Sequence, residues 1–152
     1  MKADANTSPA KEVASFIAKF DPRIAKLTRS ARSILRKRFP TAIELVYDNY
    51  NALAIGYSAT ERTSDVIFSL AVYARGVNLY FMYGRSLPDP HKLLQGSGSQ
   101  GAFVRLDDVS VLDEPRVKAL IAAAVKQAQA LPARGGYTIV KSISAKQRPR
   151  RV

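Results

Sequence analysis

Residues 91–103 of this 152-residue chain, HKLLQGSGSQGAF, have the spacing of a phosphate grip. Gly96, Gly98 and Gly101 fit G-x-G-x-x-G, and Gly96 with Gly101 frames the G-x-x-x-x-G of a P-loop. Each pattern holds phosphate only in a set context. The dinucleotide fingerprint sits between a strand and a helix, because the helix N-terminus receives the pyrophosphate. Here the order is reversed, with HKLL reading as one helical turn before the glycines and AFVRL as a strand after them. A P-loop continues with Lys and Ser/Thr, where this chain has Ala102 and Phe103. Neither Ser97 nor Ser99 lies in the G-x-S-x-G of a nucleophile elbow. The glycines are therefore predicted to cap a short helix and make a tight entry into a strand.

Carboxylates are the second candidate set. Asp107, Asp108, Asp113 and Glu114 gather hard carboxylate oxygens in a short stretch. Their plain reading is a solvated turn for the first pair and a helix start for the second. His91 is the only histidine, two residues after Asp89. It reads either as a ligand or proton carrier, or as the start of a helical turn capped by Asp89-Pro90. No nucleophile–base pair has a spacing that specifies an enzyme.

Tyrosines form the third set. Tyr47, Tyr50, Tyr57, Tyr73, Tyr80 and Tyr83 all fall on or between the first four expected strands. Tyr80 and Asn78 share the strand face opposite Leu79 and Phe81, so one sheet face reads as polar and aromatic. That is the pattern of a ligand pocket or a base-stacking platform, and equally of ordinary cross-strand pairs. The ligand-binding candidates are Tyr80 and Asn78, with Asp89, His91, Gly96, Ser97 and Gly98 from the loop over the sheet.

The net charge of +12 is concentrated at the ends. Residues 1–38 hold 10 Lys+Arg against 3 Asp+Glu, residues 39–133 hold 8 against 9, and residues 134–152 hold 6 against none. Arg29, Arg32 and Arg36 recur along one helix face, and Arg148, Arg150 and Arg151 lie on a tail poor in apolar residues. Both groups suit an acidic partner or the phosphates of a nucleic acid, bound without sequence preference. No helix-turn-helix, zinc-finger or RNP signature accompanies them.

The elements that must position these residues are legible in the periodicity. Ser8-Pro9 and Asp21-Pro22 each open a helix, and Pro40 stops the second. Ile43, Leu45 and Tyr47 then alternate with Glu44, Val46 and Asp48, a strand whose apolar side is the first trio. Strands follow over 52–58, 66–72, 77–83 and 102–106 at hairpin spacing, and Pro115 opens a last helix. The predicted fold is α+β, an antiparallel sheet of about five strands with two N-terminal helices and one C-terminal helix packed on it. Residues 1–133 are expected to form the domain, and 134–152 a basic extension with a short edge strand and a disordered tail. The absence of cysteine excludes disulfides and thiolate sites. With no signal segment or long apolar run evident, a cytoplasmic location is expected.

LVYDNYNALAIGYS (45–58), AVYARGVNLYFMYGRSLPDP (71–90) and LPDPHKLLQGSGSQGAFVRL (87–106) together resemble the YdhG-like family of bacterial domains. The tail IVKSISAKQRPRR (139–151) is similar to that of one branch of it. The resemblance covers nearly the whole chain, and its most specific part is the Leu-Pro-Asp-Pro to Gly-Ser-Gly combination. It implies a small α+β domain acting as a binding or accessory protein. It also implies iron delivery as a transferable function, since one member is regarded as a frataxin-like iron chaperone; on that reading Asp107, Asp108, Asp113 and Glu114 are the candidate iron ligands. Where many relatives carry basic residues after Gly-Ser-Gly, this chain has Gln100, Gly101, Ala102 and Phe103.

Overall fold

A computed structural model describes residues 8–152. The first acidic residue, Asp4, lies outside the described residues. Helix α1 (Pro9–Ala18) starts where Ser8 accepts a hydrogen bond from the Lys11 amide at 3.2 Å, with Pro9 at its first position. Helix α2 (Pro22–Arg38) follows at once. Strands β1 (Ile43–Asp48), β2 (Leu53–Ser58), β3 (Val66–Tyr73), β4 (Gly76–Phe81) and β5 (Ala102–Leu106) then form an antiparallel meander. Helix α3 (Pro115–Gln127) precedes a last strand, β6 (Thr138–Ile143). The sheet has six strands in the order β5-β4-β3-β2-β1-β6. The fold is α+β, with two N-terminal helices and one C-terminal-region helix.

The helices cover one sheet face. Val13, Phe16 and Ile17 of α1, Ile24, Ala31 and Leu35 of α2, and Val117, Leu120 and Ile121 of α3 are all buried there. They meet Leu53, Ile55, Phe68, Leu70, Leu79 and Phe81 from the sheet. Each fully buried aliphatic or aromatic side chain of this kind contributes about 1.5–3 kcal/mol. The opposite sheet face carries no helix. This asymmetry makes it the place to look for a site.

Three expectations need correction. Strand β1 presents Val46 to the helical core, while Leu45 and Ile43 belong to a separate small cluster with Val66 on the other face. Glu44 and Asp48, sharing the parity of Val46, therefore point inward, and the expected apolar side points outward. Second, HKLL is not helical. Asp89 accepts from the Leu93 and Leu94 amides, both at 2.9 Å, and Lys92 takes a left-handed φ of 53°. The carboxylate replaces the helical partners of those amides, and the left-handed residue breaks the spiral.

Third, the short edge strand expected within 134–152 is present as β6, but the tail after it is held against the fold. Strand β6 pairs in parallel with β1, and the tail beyond it docks. Arg150 is only 7% exposed and its guanidinium reaches Asp48 at 3.0 Å. The Arg148 amide donates to Tyr50 O, and Arg151 Nε donates to Lys19 O at the end of α1. A basic tail poor in apolar residues is held because its arginines find a buried acid and free carbonyls.

Candidate functional site

Strand register lays two rows of side chains across the uncovered face. One row is Tyr47, Ala54, Ala71, Asn78 and Arg105, one residue from each of β1 to β5. The next is Leu45, Gly56, Ser69, Tyr80 and Phe103. Both rows dip at β2 and β3, where Ala54, Gly56, Ser69 and Ala71 are among the smallest side chains available. Tyr47 and Tyr80 rise on either side of them, from β1 and β4. With strands about 4.8 Å apart, these walls stand about 14 Å from each other.

The result is an open trough of about 560 Å³. That volume lies within the range of small-molecule sites, about 300–1,000 Å³. Tyr50 and Tyr73 line the end beside the β1–β2 and β3–β4 turns, and Thr63 and Met82 the other end. The walls are fixed in different ways. Tyr47 Oη lies 2.7 Å from Thr63 Oγ1. Tyr80 packs against Gly101, where a Cβ would collide with the phenol ring. Gly101 is thus required by the aromatic wall rather than by a phosphate. No charged side chain lines the trough. Among the described residues, the hydroxyls of Ser69, Tyr50, Tyr73 and Tyr80 make no hydrogen bond within the chain.

The other ligand candidates are not brought to this trough. Asn78 shares its face, but lies beside Arg105, whose Nη1 is 3.5 Å from Asn78 Oδ1. Asp89 is occupied by the amides it caps, and exposed His91 borders a separate, smaller groove with Pro115 and Arg116. Arg85 donates to the carbonyls of Gly96 and Gly98, and Ser97 lies between them on the exposed loop. Gly96 has a φ of 112°, which only glycine adopts readily. The glycine run is a turn leading to β5, as expected, although no helix precedes it. Tyr57 faces the core instead of the trough, and Tyr83 Oη donates to Ser64 O.

The four acids proposed for iron are scattered among structural duties. Asp107 lies 3.5 Å from Arg105, and Asp108 accepts from the Ser110 amide at 3.1 Å. Asp113 pairs with Arg38, and Glu114 precedes α3 without a side-chain capping bond. No group of three His, Cys, Asp or Glu side chains among the described residues has the arrangement of a metal site. These four residues do not fit iron as a set.

The six arginines are mostly used inside the chain. Arg32 grips Glu44 with Nε at 2.9 Å and Nη2 at 2.8 Å, and Arg36 donates to Gly136 O while lying 3.9 Å from the same carboxylate. Arg148 stacks over Tyr50, and Arg150 and Arg151 are tied as described above. Among the described residues, only Arg29 of the six has no such contact.

The two inward acids of β1 are the strongest electrostatic feature. Burial alone would raise the Glu44 carboxyl. Hydrogen bonds and charge from Arg32, with a bond from Thr138, outweigh it and hold Glu44 below its ordinary value. Burial opposes the Asp48 charge too, but bonds from Lys19, Gln147 and Arg150 hold that group low. Tyr57 is raised well above its ordinary value by burial, then by the Glu44 charge and by its own 3.0 Å bond to it. The signs give a pH profile. Both carboxylates contribute stability that is present above their unfolded values, about 3.9 for Asp and 4.3 for Glu, and lost as pH falls toward the lower folded values. Tyr57 contributes stability present below its unfolded value of about 10 and lost as pH rises beyond it. Urea midpoints measured against pH should drop below about pH 4, and Asp48→Asn should flatten that drop. An unchanged acid slope in Asp48→Asn would show that Asp48 is not a source of it.

Comparisons with family models, curated proteins and solved structures find no match for this chain. No helix among the described residues is long and apolar enough to cross a membrane.

Proposed function

We propose that this chain is a small-ligand-binding module of YdhG-like type, with the trough on the uncovered sheet face as its site. The observation that carries the reading is the registered pair of rows. Ala54 faces Ala71 and Gly56 faces Ser69 between tyrosine walls, on a sheet face that no helix covers. Small residues on a strand forgo cross-strand packing and weaken the sheet. Placing four together is understandable where the vacated volume is used. The family resemblance supports the same class of binding or accessory protein. Its iron-carrier branch has the weaker support, because the four acids are apart. The alternative, nucleic-acid binding through α2 and the tail, keeps Arg29 but meets five arginines already engaged.

A screen of small organic fragments followed by ¹H–¹⁵N spectra tests the site. The amides of Ala54, Gly56, Ser69 and Ala71 are expected to shift together. Ala71→Phe, which fills the floor with a residue strands accept, is expected to weaken those ligands at least about tenfold with the rest of the spectrum retained. If no fragment moves these four amides, the trough is not a binding site.

A further inference from the structure

Resting on the trough as the site, we infer that its ligand is an uncharged, planar, one- or two-ring aromatic molecule carrying a hydrogen-bonding group. The chain has a net charge of +12, yet none of the trough's lining residues is charged. A ligand anion or cation settling there would leave water for a surface with no counter-charge at its floor. The shape selects planarity. The floor is pleated backbone with side chains no larger than a methyl or hydroxymethyl, and the walls are phenol rings on β1 and β4. A flat ring system lies on such a floor and meets the wall rings at the offset or edge-on distances that aromatic pairs prefer, about 4.5–7 Å between centroids. At about 560 Å³ the trough has room for one ring or for two fused rings.

Ser69 supplies the polar contact. It lies at the middle of the floor, 7% exposed, with its hydroxyl unpaired among the described residues. Tyr80 is the register partner of Ser69 on β4, and its hydroxyl, which lies over Gly101, is unpaired in the same sense. A hydroxyl or ring nitrogen on the ligand edge would bond to the Ser69 hydroxyl. Arg148, beside the trough's end, is already stacked on the Tyr50 ring, 5.6 Å from its centroid.

Four probes of one size test the inference on the full chain at pH 7. They are 2-naphthol, which is neutral and flat; 2-naphthoate and 2-naphthylmethylammonium, which are flat and charged; and decahydro-2-naphthol, which is neutral and puckered. Titrations followed by ¹H–¹⁵N spectra give affinity and location together. 2-Naphthol is expected to bind at Ala54, Gly56, Ser69 and Ala71 about tenfold or more tightly than either charged probe. It is expected to bind several-fold more tightly than the puckered alcohol. Ser69→Ala, a change too small to disturb the fold, is expected to weaken 2-naphthol by about threefold to tenfold. Equal or tighter binding of a charged probe, with shifts at the same four amides, would overturn the ligand class and leave the site standing. If none of the four probes moves these amides, or if 2-naphthol moves only residues elsewhere, the site itself fails along with the ligand class.

Discussion

Arg32→Met is expected to lower the unfolding free energy by about 3 kcal/mol, because it leaves a buried carboxylate without its main partner. Glu44 is 1% exposed, and the Arg32 guanidinium holds both of its oxygens. Tyr57 and Thr138 would still donate to it, at 3.0 and 2.8 Å, but neither carries charge. Arg36, 3.9 Å away and partly solvated, is a weak substitute. Replacing both members, Arg32→Met with Glu44→Leu, should restore most of the loss, since two apolar side chains leave no unpaired charge in the core. The pH dependence distinguishes this mechanism from lost packing. Without Arg32, burial raises Glu44 above its ordinary value, so the carboxyl protonates more readily and the charge disappears. The gap between the native chain and Arg32→Met should therefore narrow below about pH 4. Urea unfolding of the three chains at pH 7 and pH 3.5 measures it. A gap under about 1 kcal/mol, or one independent of pH, would mean that Glu44 is not sustained by Arg32.

The inward acids also show where sequence reasoning stops. Alternation over 43–48 is plain, and it fixes a strand, but period two does not say which side faces the helices. Hydrophobicity favours Ile43, Leu45 and Tyr47 for the core. The fold chooses the other side, because Glu44 and Asp48 meet Arg32, Lys19 and Arg150 there. Two of those partners lie 29 and 102 residues from Asp48, so no local window contains the information. The same distance hides the place of β6, which joins the sheet beside β1 after the chain has passed through α3. Helix starts fared better because their signals are local. Ser8-Pro9, Asp21-Pro22 and Glu114-Pro115 each mark a boundary within one residue.

For the trough, half of the signal was visible. Tyr80 and Asn78 are on one strand face, and the parity of β4 alone shows it. The floor was equally present in the letters, as Ala54 and Gly56 in one strand and Ser69 and Ala71 in the next, each pair two residues apart. What one strand cannot show is that the two pairs stand opposite each other. That follows from the β2–β3 register, which joins Ala54 to Ala71 and Gly56 to Ser69. The glycine run at 96–101 drew attention by its spacing, yet its chemistry is conformational. Gly96 turns the chain and Gly101 makes room for Tyr80.

Deleting residues 145–152 should cost about 3–5 kcal/mol of stability, where removal of a mobile tail would change it by less than about 0.5 kcal/mol. The segment takes away Arg150, whose guanidinium bonds to Asp48 Oδ1 at 3.0 Å and to Asn49 O at 2.6 Å over the Phe20 ring. It also removes the Gln147 bond to Asp48 O and the Arg148 amide bond to Tyr50 O. Asp48, fully buried, would keep only Lys19, whose side chain is 41% exposed. Arg150→Met should account for most of the loss, because it leaves the rest of the tail in place and removes only the buried charge. Salt separates the two accounts further. Exposed basic residues lose their influence by 1 M salt, whereas a buried pair is screened far less, so the deficit should persist there. The consequence reaches the trough, since Asn49 and Tyr50 form its end wall and are the residues the tail holds. Unchanged urea midpoints in both the deletion and Arg150→Met would return the tail to a solvated appendage. A loss in the deletion alone, with Arg150→Met unaffected, would assign the anchoring to the backbone bonds of 147 and 148 rather than to the buried pair.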